Sequence, residues 1–352
     1  MVIVRSITPL LMSAAVVATT FSGPPAAAAR PAAPASSAAS AASVLERRDS
    51  PDPQGLAISI DALNPDALRK LGPTKVPHLW RLVDEGAATL NARTQLELTV
   101  TLPNHTSMVT GRRIRAAKGG HGVTWNDDLP GHPPTVQAAA GHGVASLFSV
   151  AHAAGVSTAL FATKTKFSLF QRSWPGGLDR VTIKEEQDAA VVKAVRRDLL
   201  RRDRGITFVH LGQADKAGHA HGFMGRAYLR AVRRLDGLIG TILDDADTRT
   251  ELDDLTIILT ADHGGLPGST SHSASNEPAN YRVPFVVWGP GISPADLYTI
   301  NPGYRDPLDG RPRLGRKQPV RNGDVANVAL GLLGLDPVPG SLFGVKRPLR
   351  LS

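Results

Sequence analysis

From Gly55 onward, short apolar runs rich in β-branched residues alternate with longer stretches in which apolar residues recur every three or four positions. The short runs read as buried strands, at about Gly55 to Ile60, Ser157 to Phe161, Ile206 to Leu211, Leu255 to Thr260 and Val283 to Trp288. The longer stretches HLWRLVDEG, GVASLFSVAHAAG, EEQDAAVVKAVRRDLL and AYLRAVRRLDGLIGTIL read as helices, several ending at glycine, and VANVALGLLGL reads as a further helix packed on the sheet. Strands that alternate with helices predict a three-layer α/β/α domain around a central, mostly parallel sheet. There is no internal repeat. The stretch from Leu297 to Pro319, dense in Gly, Pro, Asp and Arg, reads as a long loop or small cap near the site, within a single domain over residues 55–352.

Such a sheet gathers at one edge the loops that leave the carboxyl ends of its strands, and ligands bind there. Asp61 follows the apolar LAISI, Asp215 follows a strand by a few residues, and Asp262 and His263 follow IILT. Each has a plainer reading. Asp61 could cap the helix that begins near Pro65. Thr101, two residues before Pro103, falls at a helix start, where free backbone N–H groups favour a phosphate but a plain Thr cap would look the same. Asp215 and His219 are four apart, so on a helix they face the same way and could grip one ion, with His221 as a competitor for the assignment. Adjacent Asp262 and His263 converge only if the strand stops, which Gly264-Gly265 implies; His272 in its Ser-rich loop would pass for a surface histidine by itself.

The first residues, with a positive charge at Arg5, an apolar stretch from about Ile7 to Phe21 and small residues to Ala29, read as a secretory signal peptide over residues 1–29. Ala27 and Ala29 suit an A-x-A cut, and the apolar run is too short and broken for the roughly 20 residues of a membrane span. Residues 30–54 are rich in Ala, Pro and Ser and read as a disordered tether, so a secreted or otherwise extracytoplasmic protein without a membrane span after cleavage is expected. With no cysteine in the chain, a disulfide framework, a thiolate metal ligand and a lipidated N-terminal Cys are all excluded. The net charge of +9 suggests an anionic partner, but the arginines of KAVRRDLLRRDR and RAYLRAVRRLD fall around helices and aromatics are not interleaved with them. Solvated helix faces explain that charge better than a dedicated nucleic-acid surface.

Taken together, Asp61, Thr101, Asp215, His219, Asp262, His263 and His272 supply the oxygen and nitrogen donors that would hold two divalent ions. Nitrogen and carboxylate donors without thiolate suit zinc, with iron or manganese as alternatives. A threonine hydroxyl is a poor nucleophile at neutral pH. A divalent ion lowers the pKa of bound water from roughly 15.7 to about 7, and a pair of ions about 4 Å apart clamps the attacking and leaving oxygens of a displacement at phosphorus.

The segments TLPNHTSMVTG, HGVTWN, DKAGHAHG, ADHGG and RNGDVANVALGLLGLDPVPG resemble, in order, those of the type I phosphodiesterase/nucleotide pyrophosphatase family of the alkaline phosphatase superfamily, from about Gly55 to Gly340. The resemblance implies an alkaline phosphatase-like fold, with Thr101 as a transiently phosphorylated nucleophile beside an ion held by Asp61, Asp262 and His263. It implies a second ion on Asp215, His219 and His272, and Asn126 donating to a non-bridging oxygen. Two features depart from the family pattern: RRIRAAKGG, before HGVTWN, is longer than usual, and the loop of His272 is worded differently. The superfamily's sulfatases need Cys or Ser where this chain has Thr. The expected substrate is a small phosphorylated molecule, a nucleotide or other phosphodiester. The alternatives are a phosphomonoesterase or phosphonate hydrolase, for which Lys164, Lys166 or Arg282 would have to reach terminal phosphate oxygens, and a metal-stabilised binding protein without turnover.

Overall fold

Residues 53–352 are described by the computed structural model; the leader and all but the end of the tether lie outside them. The strands are β1 (Gln54–Ile60), β2 (Ala87–Arg93), β3 (Thr158–Ala162), β4 (Arg180–Ile183), β5 (Ile206–Leu211), β6 (Leu255–Thr260), β7 (Arg282–Trp288) and β8 (Ala295–Asp296). They form one sheet in the order β4-β3-β5-β1-β6-β7-β2-β8, in which β7 runs antiparallel to both neighbours and the other pairings are parallel. The mostly parallel sheet of the sequence reading is therefore present. β1 starts at Gln54, one residue inside the stretch assigned to the tether.

The main helices are α1 (Pro65–Leu71), α2 (Pro77–Glu85), α3 (Thr101–Thr110), α4 (Leu147–Ala153), α5 (Asp188–Leu199), α6 (Gln213–His221), α7 (Arg226–Thr248) and α8 (Val325–Leu332). One group, α2, α5 and α7, packs together against β3, β5 and β7; another, α3, α4 and α8, packs against β1, β3 and β6. The central strands β1, β5 and β6 are buried along their whole length, as a sheet covered on both faces requires. On α7 the apolar residues Tyr228, Val232, Leu235, Ile239 and Leu243 are buried while Arg230, Arg233 and Arg234 face water. In α5 and the turn after it, Arg197, Arg201 and Arg202 are likewise exposed, while Arg196 pairs with Asp245 and Arg204 is buried against Asp198. Among the described residues no helix is long and apolar enough to cross a membrane.

Register decides where the site forms. Ile60 lies opposite Leu211, Ser59 opposite Thr260 and Phe161 opposite Val209, so β3, β5, β1 and β6 end nearly level. The residues that follow them emerge at one edge. The segment from Leu297 to Pro319 runs along β2, where the Arg93 guanidinium donates to the Gly310 carbonyl at 3.0 Å and the Tyr281 hydroxyl to that of Asp309 at 2.9 Å.

Helix α3 is unusual because all ten of its residues are buried although six are polar. Its side chains answer for themselves: Thr106, Ser107 and Thr110 each donate to the carbonyl four residues earlier, and the Asn104 amide donates to the carbonyls of Leu98 and Val100. Beneath it lies His121. Its Nδ1 accepts from the Val123 N–H at 3.1 Å, so the proton sits on Nε2, which donates to Ser107 Oγ at 2.9 Å. Burial pushes its pKa down to about 3.

A protonated His121 would turn a second N–H against that of Val123. The unfolded chain takes up this proton near the ordinary value of about 6.5, and the folded chain does so only far lower. The contribution is thus present above about pH 6.5 and is lost as pH falls from there toward 3. Urea melts between pH 7 and 4 are expected to show stability falling on acidification, with His121→Gln giving a flatter dependence. Equal slopes for the two proteins would refute this.

Candidate metal centre

Asp61 leaves β1 at the sheet edge, fully buried, and does not cap α1; Asn64 does, accepting from the Asp66 N–H at 2.9 Å. Thr101 opens α3, but the cap position is Val100 and the Thr101 hydroxyl caps nothing. Asp215 and His219 lie one turn apart on α6, with His219 Nε2 3.3 Å from Asp215 Oδ1. His221, the competitor in sequence, is exposed at the end of the helix.

Asp262 and His263 converge because β6 stops at Thr260. The two glycines that follow let the chain turn where no side chain fits: a Cβ on Gly264 would lie 2.1 Å from the Ala279 carbonyl oxygen, and one on Gly265 2.3 Å from the Phe223 ring. His272 is buried rather than on the surface. Its Nε2 is 3.6 Å from Asp215 Oδ1 and its ring stacks on that of His263 at 3.5 Å.

The protonation pattern of these histidines shows what the cluster is built to hold. His219 donates through Nδ1 to the Thr270 carbonyl, His263 to that of Gly264 and His272 to that of Thr99, at 2.7, 2.8 and 2.6 Å. A backbone carbonyl can only accept, so each neutral ring carries its proton on Nδ1 and leaves Nε2 bare. Burial, reinforced by His272, holds His263 well below the ordinary histidine range, and burial lowers His272 too.

The bare nitrogens then face other lone pairs. His219 and His272 set Nε2 against Nε2 at 3.2 Å, and His263 Nε2 lies 3.2 Å from Asp262 Oδ2 and 3.4 Å from Asp61 Oδ1. Five buried atoms of the predicted set have no hydrogen-bond partner: Asp61 Oδ1, Thr101 Oγ1, Asp215 Oδ1, Asp262 Oδ2 and His263 Nε2. Orphaned acceptors gathered in one place are costly unless a cation answers them. Asp215, His219 and His272 form one group with ligand atoms within 4.8 Å of one another, and Asp61, Asp215 and His263 form a second. The donor set therefore fits two divalent ions, and Asp215 is common to the two groups.

Burial would raise the pKa of Asp61, yet Lys164 and His210 hold it well below the usual carboxylate range. Asp262 is pushed well above that range by burial and by the charge of Asp61. The head of α3 is clamped to the centre: the Thr99 hydroxyl donates to the His272 carbonyl at 2.6 Å, and His105 Nδ1 donates to the Thr101 carbonyl at 2.8 Å while Nε2 accepts from Ser59. Asn126 reaches the same place despite the long insertion before it. Its Oδ1 accepts from the Leu102 N–H at 2.9 Å, which fixes the amide with its NH₂ turned outward from that bond. Asn126, Lys164, Lys166, Glu185 and Gln213 line an adjoining cleft of about 400 Å³.

Several residues of the centre were not picked out from sequence in the roles they have. The Lys164 ammonium bridges Asp61 Oδ2 and Asp215 Oδ2 at 2.6 and 2.7 Å; burial opposes its charge, but the two carboxylates hold it protonated. A charge two residues after the strand ALFA was the available signal. His210 lies within β5, accepts on Nδ1 from Thr163 and donates from Nε2 to Asp61 Oδ2 at 2.9 Å, the opposite tautomer from the candidate ligands. Asn322 donates to the carbonyls of Ala261 and Asp262 and so supports the turn carrying that carboxylate. Lys166 donates to the Asn126 carbonyl and Arg282 pairs with Asp66.

Comparison with known proteins gives a consistent picture. Residues 56–278 match the family described as type I phosphodiesterase / nucleotide pyrophosphatase. Similar curated proteins include the GPI ethanolamine phosphate transferase 1 of Emericella nidulans, 32% identical over 141 residues, and that of Aspergillus fumigatus, 34% identical over 147 residues. Each match takes in 39% of this chain but only 15% and 14% of the relative, so the chain spans a small part of those proteins. Among solved structures, murine ectonucleotide pyrophosphatase / phosphodiesterase 5 shares the fold at a TM-score of 0.63 and 13% identity, covering 85% of this chain and 100% of the murine one. An inactive Thr-to-Ala variant of that protein, in complex with AMP, gives 0.61 and 14% with the same coverage.

Proposed function

Since the chain belongs to the type I phosphodiesterase / nucleotide pyrophosphatase family, we propose that it is a two-metal phosphoryl hydrolase that cleaves phosphodiester or pyrophosphate bonds through a phosphorylated Thr101. The observation that carries this reading is the meeting of bare imidazole nitrogens and unpartnered carboxylate oxygens around a buried, unpartnered threonine hydroxyl. Asp61, Asp262 and His263 would hold one ion and Asp215, His219 and His272 the other, with Asp215 close enough to Asp61 and His263 to serve the first ion as well. Zinc suits these donors. The ions would supply positive charge for the transferring phosphoryl group and for the deprotonated Thr101.

The protein's own groups then have distinct tasks. Thr101 Oγ1 forms a bond to phosphorus as the bond from phosphorus to the leaving oxygen breaks, and the leaving group departs with that electron pair. Water then attacks phosphorus and releases Thr101. The amide of Asn126, held by the Leu102 N–H, donates to a non-bridging oxygen, and the adjoining cleft gives room for one substituent of the phosphorus.

The preference for diesters over monoesters is supported by where the cations are: Lys164 is committed to two carboxylates, Lys166 to a backbone carbonyl and Arg282 to Asp66. A second reading, transfer of the phosphoryl group to an alcohol in place of water, is favoured by the similarity to ethanolamine phosphate transferases. AMP on the murine relative supports a nucleotide as the small substrate. The leader-like N-terminus supports an extracytoplasmic location.

The test is hydrolysis of a chromogenic phosphodiester beside the matching monoester by purified protein, with chelator and with zinc added back. Diester turnover that the chelator abolishes and zinc restores is expected. Product appearing only when an alcohol acceptor is supplied would select the transferase reading, and cleavage of the monoester alone would overturn the diester preference.

A further inference from the structure

Lys164 touches both halves of the centre, and it touches a particular oxygen of each. Asp61 and Asp215 each present two carboxylate oxygens. In both, Oδ2 accepts from the Lys164 ammonium, at 2.6 and 2.7 Å, while Oδ1 has no hydrogen-bond partner and lies among the bare histidine nitrogens. His210 adds a second donor to Asp61 Oδ2. The division is the same on two residues that come from different strand ends. One ammonium thereby fixes the rotation of both carboxylates and aims an Oδ1 from each toward the positions where the ions would sit.

We propose that Lys164 is a positioning residue shared by the two metal half-sites, which holds Asp61 and Asp215 as one-oxygen ligands and so links the loading of one ion to the loading of the other. This rests on the two-metal reading above. It differs from a phosphate-binding lysine, whose ammonium would have to leave the carboxylates to meet substrate. It also differs from a cation that merely stands where a metal belongs, because such a cation would be removed to the benefit of metal binding.

These possibilities predict different signs. Hydrogen-bond partners of metal ligands typically cost about 10–100-fold in metal affinity when removed. Zinc titration of the full chain against a competing chelator is therefore expected to give two ions per chain for the wild type. Lys164→Met is expected to show both ions weakened by about 10–100-fold, and Lys166→Met, which alters the same loop and the same charge, to show zinc binding unchanged. Unchanged or tighter zinc binding by Lys164→Met overturns the proposal, as does weakening of one ion alone.

If the wild type binds two zinc ions and turns over a diester while Lys164→Met matches it in zinc binding, only this inference fails; if the wild type takes up no zinc, the two-metal reading fails with it. A measurement on the wild type covers a variant that does not fold. With lysine side chains labelled with ¹⁵N, one ammonium resonance protected from exchange is expected to persist after two equivalents of zinc. Its merging with the solvent-exposed lysines on zinc addition would overturn the proposal.

Discussion

Thr101→Ala is expected to remove phosphodiester turnover by about 10⁴-fold or more, as loss of a nucleophile does elsewhere, while the protein stays folded and keeps its metals. The structural reason for expecting so clean a separation is that the hydroxyl is buried and bonded to nothing. Its removal strands no donor or acceptor. The change also deletes one methyl group from a tightly packed position, which costs on the order of 1 kcal/mol, and Ala is at home in the first turn of a helix. The carbonyl of residue 101, which His105 needs, is untouched by the exchange.

Melting temperature and zinc content should therefore stay close to wild type while the rate collapses. Thr101→Ser, which keeps the nucleophilic oxygen, should retain measurable turnover. Brief mixing of wild-type protein with substrate, followed by acid quench and mass analysis, should find a phosphate on the peptide containing Thr101. A Thr101→Ala protein that still cleaved the diester at more than a few per cent of the wild-type rate would end the covalent mechanism. If the wild type itself gave no product, the metal-braced binding protein would become the better account.

Much of this centre was legible before any coordinates, and the reason is topological. A parallel sheet puts the ends of β1, β5 and β6 side by side, so an acidic residue within a few positions of the end of each apolar run is brought near the others. Asp61, Asp215 and Asp262 were found this way. The plainer readings failed for definite reasons: Asn64 took the capping role open to Asp61, and the Thr99 carbonyl drew His272 inward.

The part that could not be read depended on hydrogen bonds between distant segments. Lys164 was visible as a charge after a strand, but its choice of two carboxylate oxygens over a substrate phosphate follows from β3 lying next to β5 and β5 next to β1. His210 in FVHL looks like a core histidine and is one, except that its proton goes to Asp61. β2, β4 and the two-residue β8 were missed because AATLNAR, RVTI and AD show too little sustained apolar character. β4, at one edge of the sheet, is only half-buried, so burial constrains its sequence less, whereas β2 is mostly buried but through small alanines that carry little apolar signal.

Asp215→Asn is expected to be the most damaging change among the metal ligands, greater than His219→Ala although both lie on α6. Asp215 belongs to both candidate groups, and its Oδ2 receives Lys164. An amide in its place offers one acceptor and one donor. If the oxygen turns to Lys164, the NH₂ points at the bare nitrogens of His219 and His272; if the NH₂ turns to Lys164, two donors face each other. Neither orientation leaves the negative charge that both ions would share.

The side chain of His219, by contrast, is 48% exposed, so water can replace the nitrogen it gives to a single ion. A divalent ion supplies several kcal/mol of transition-state stabilisation and each 1.36 kcal/mol is tenfold in rate, so Asp215→Asn should lose on the order of 10³-fold or more in turnover. Zinc content measured by atomic absorption after dialysis should fall below one ion per chain for Asp215→Asn and to about one for His219→Ala. Excess zinc in the assay should recover His219→Ala more completely, because its vacated position stays open to solvent. If His219→Ala lost more metal or more activity than Asp215→Asn, Asp215 would not be the carboxylate shared by both ions, and the centre would have to be two independent sites that happen to lie side by side.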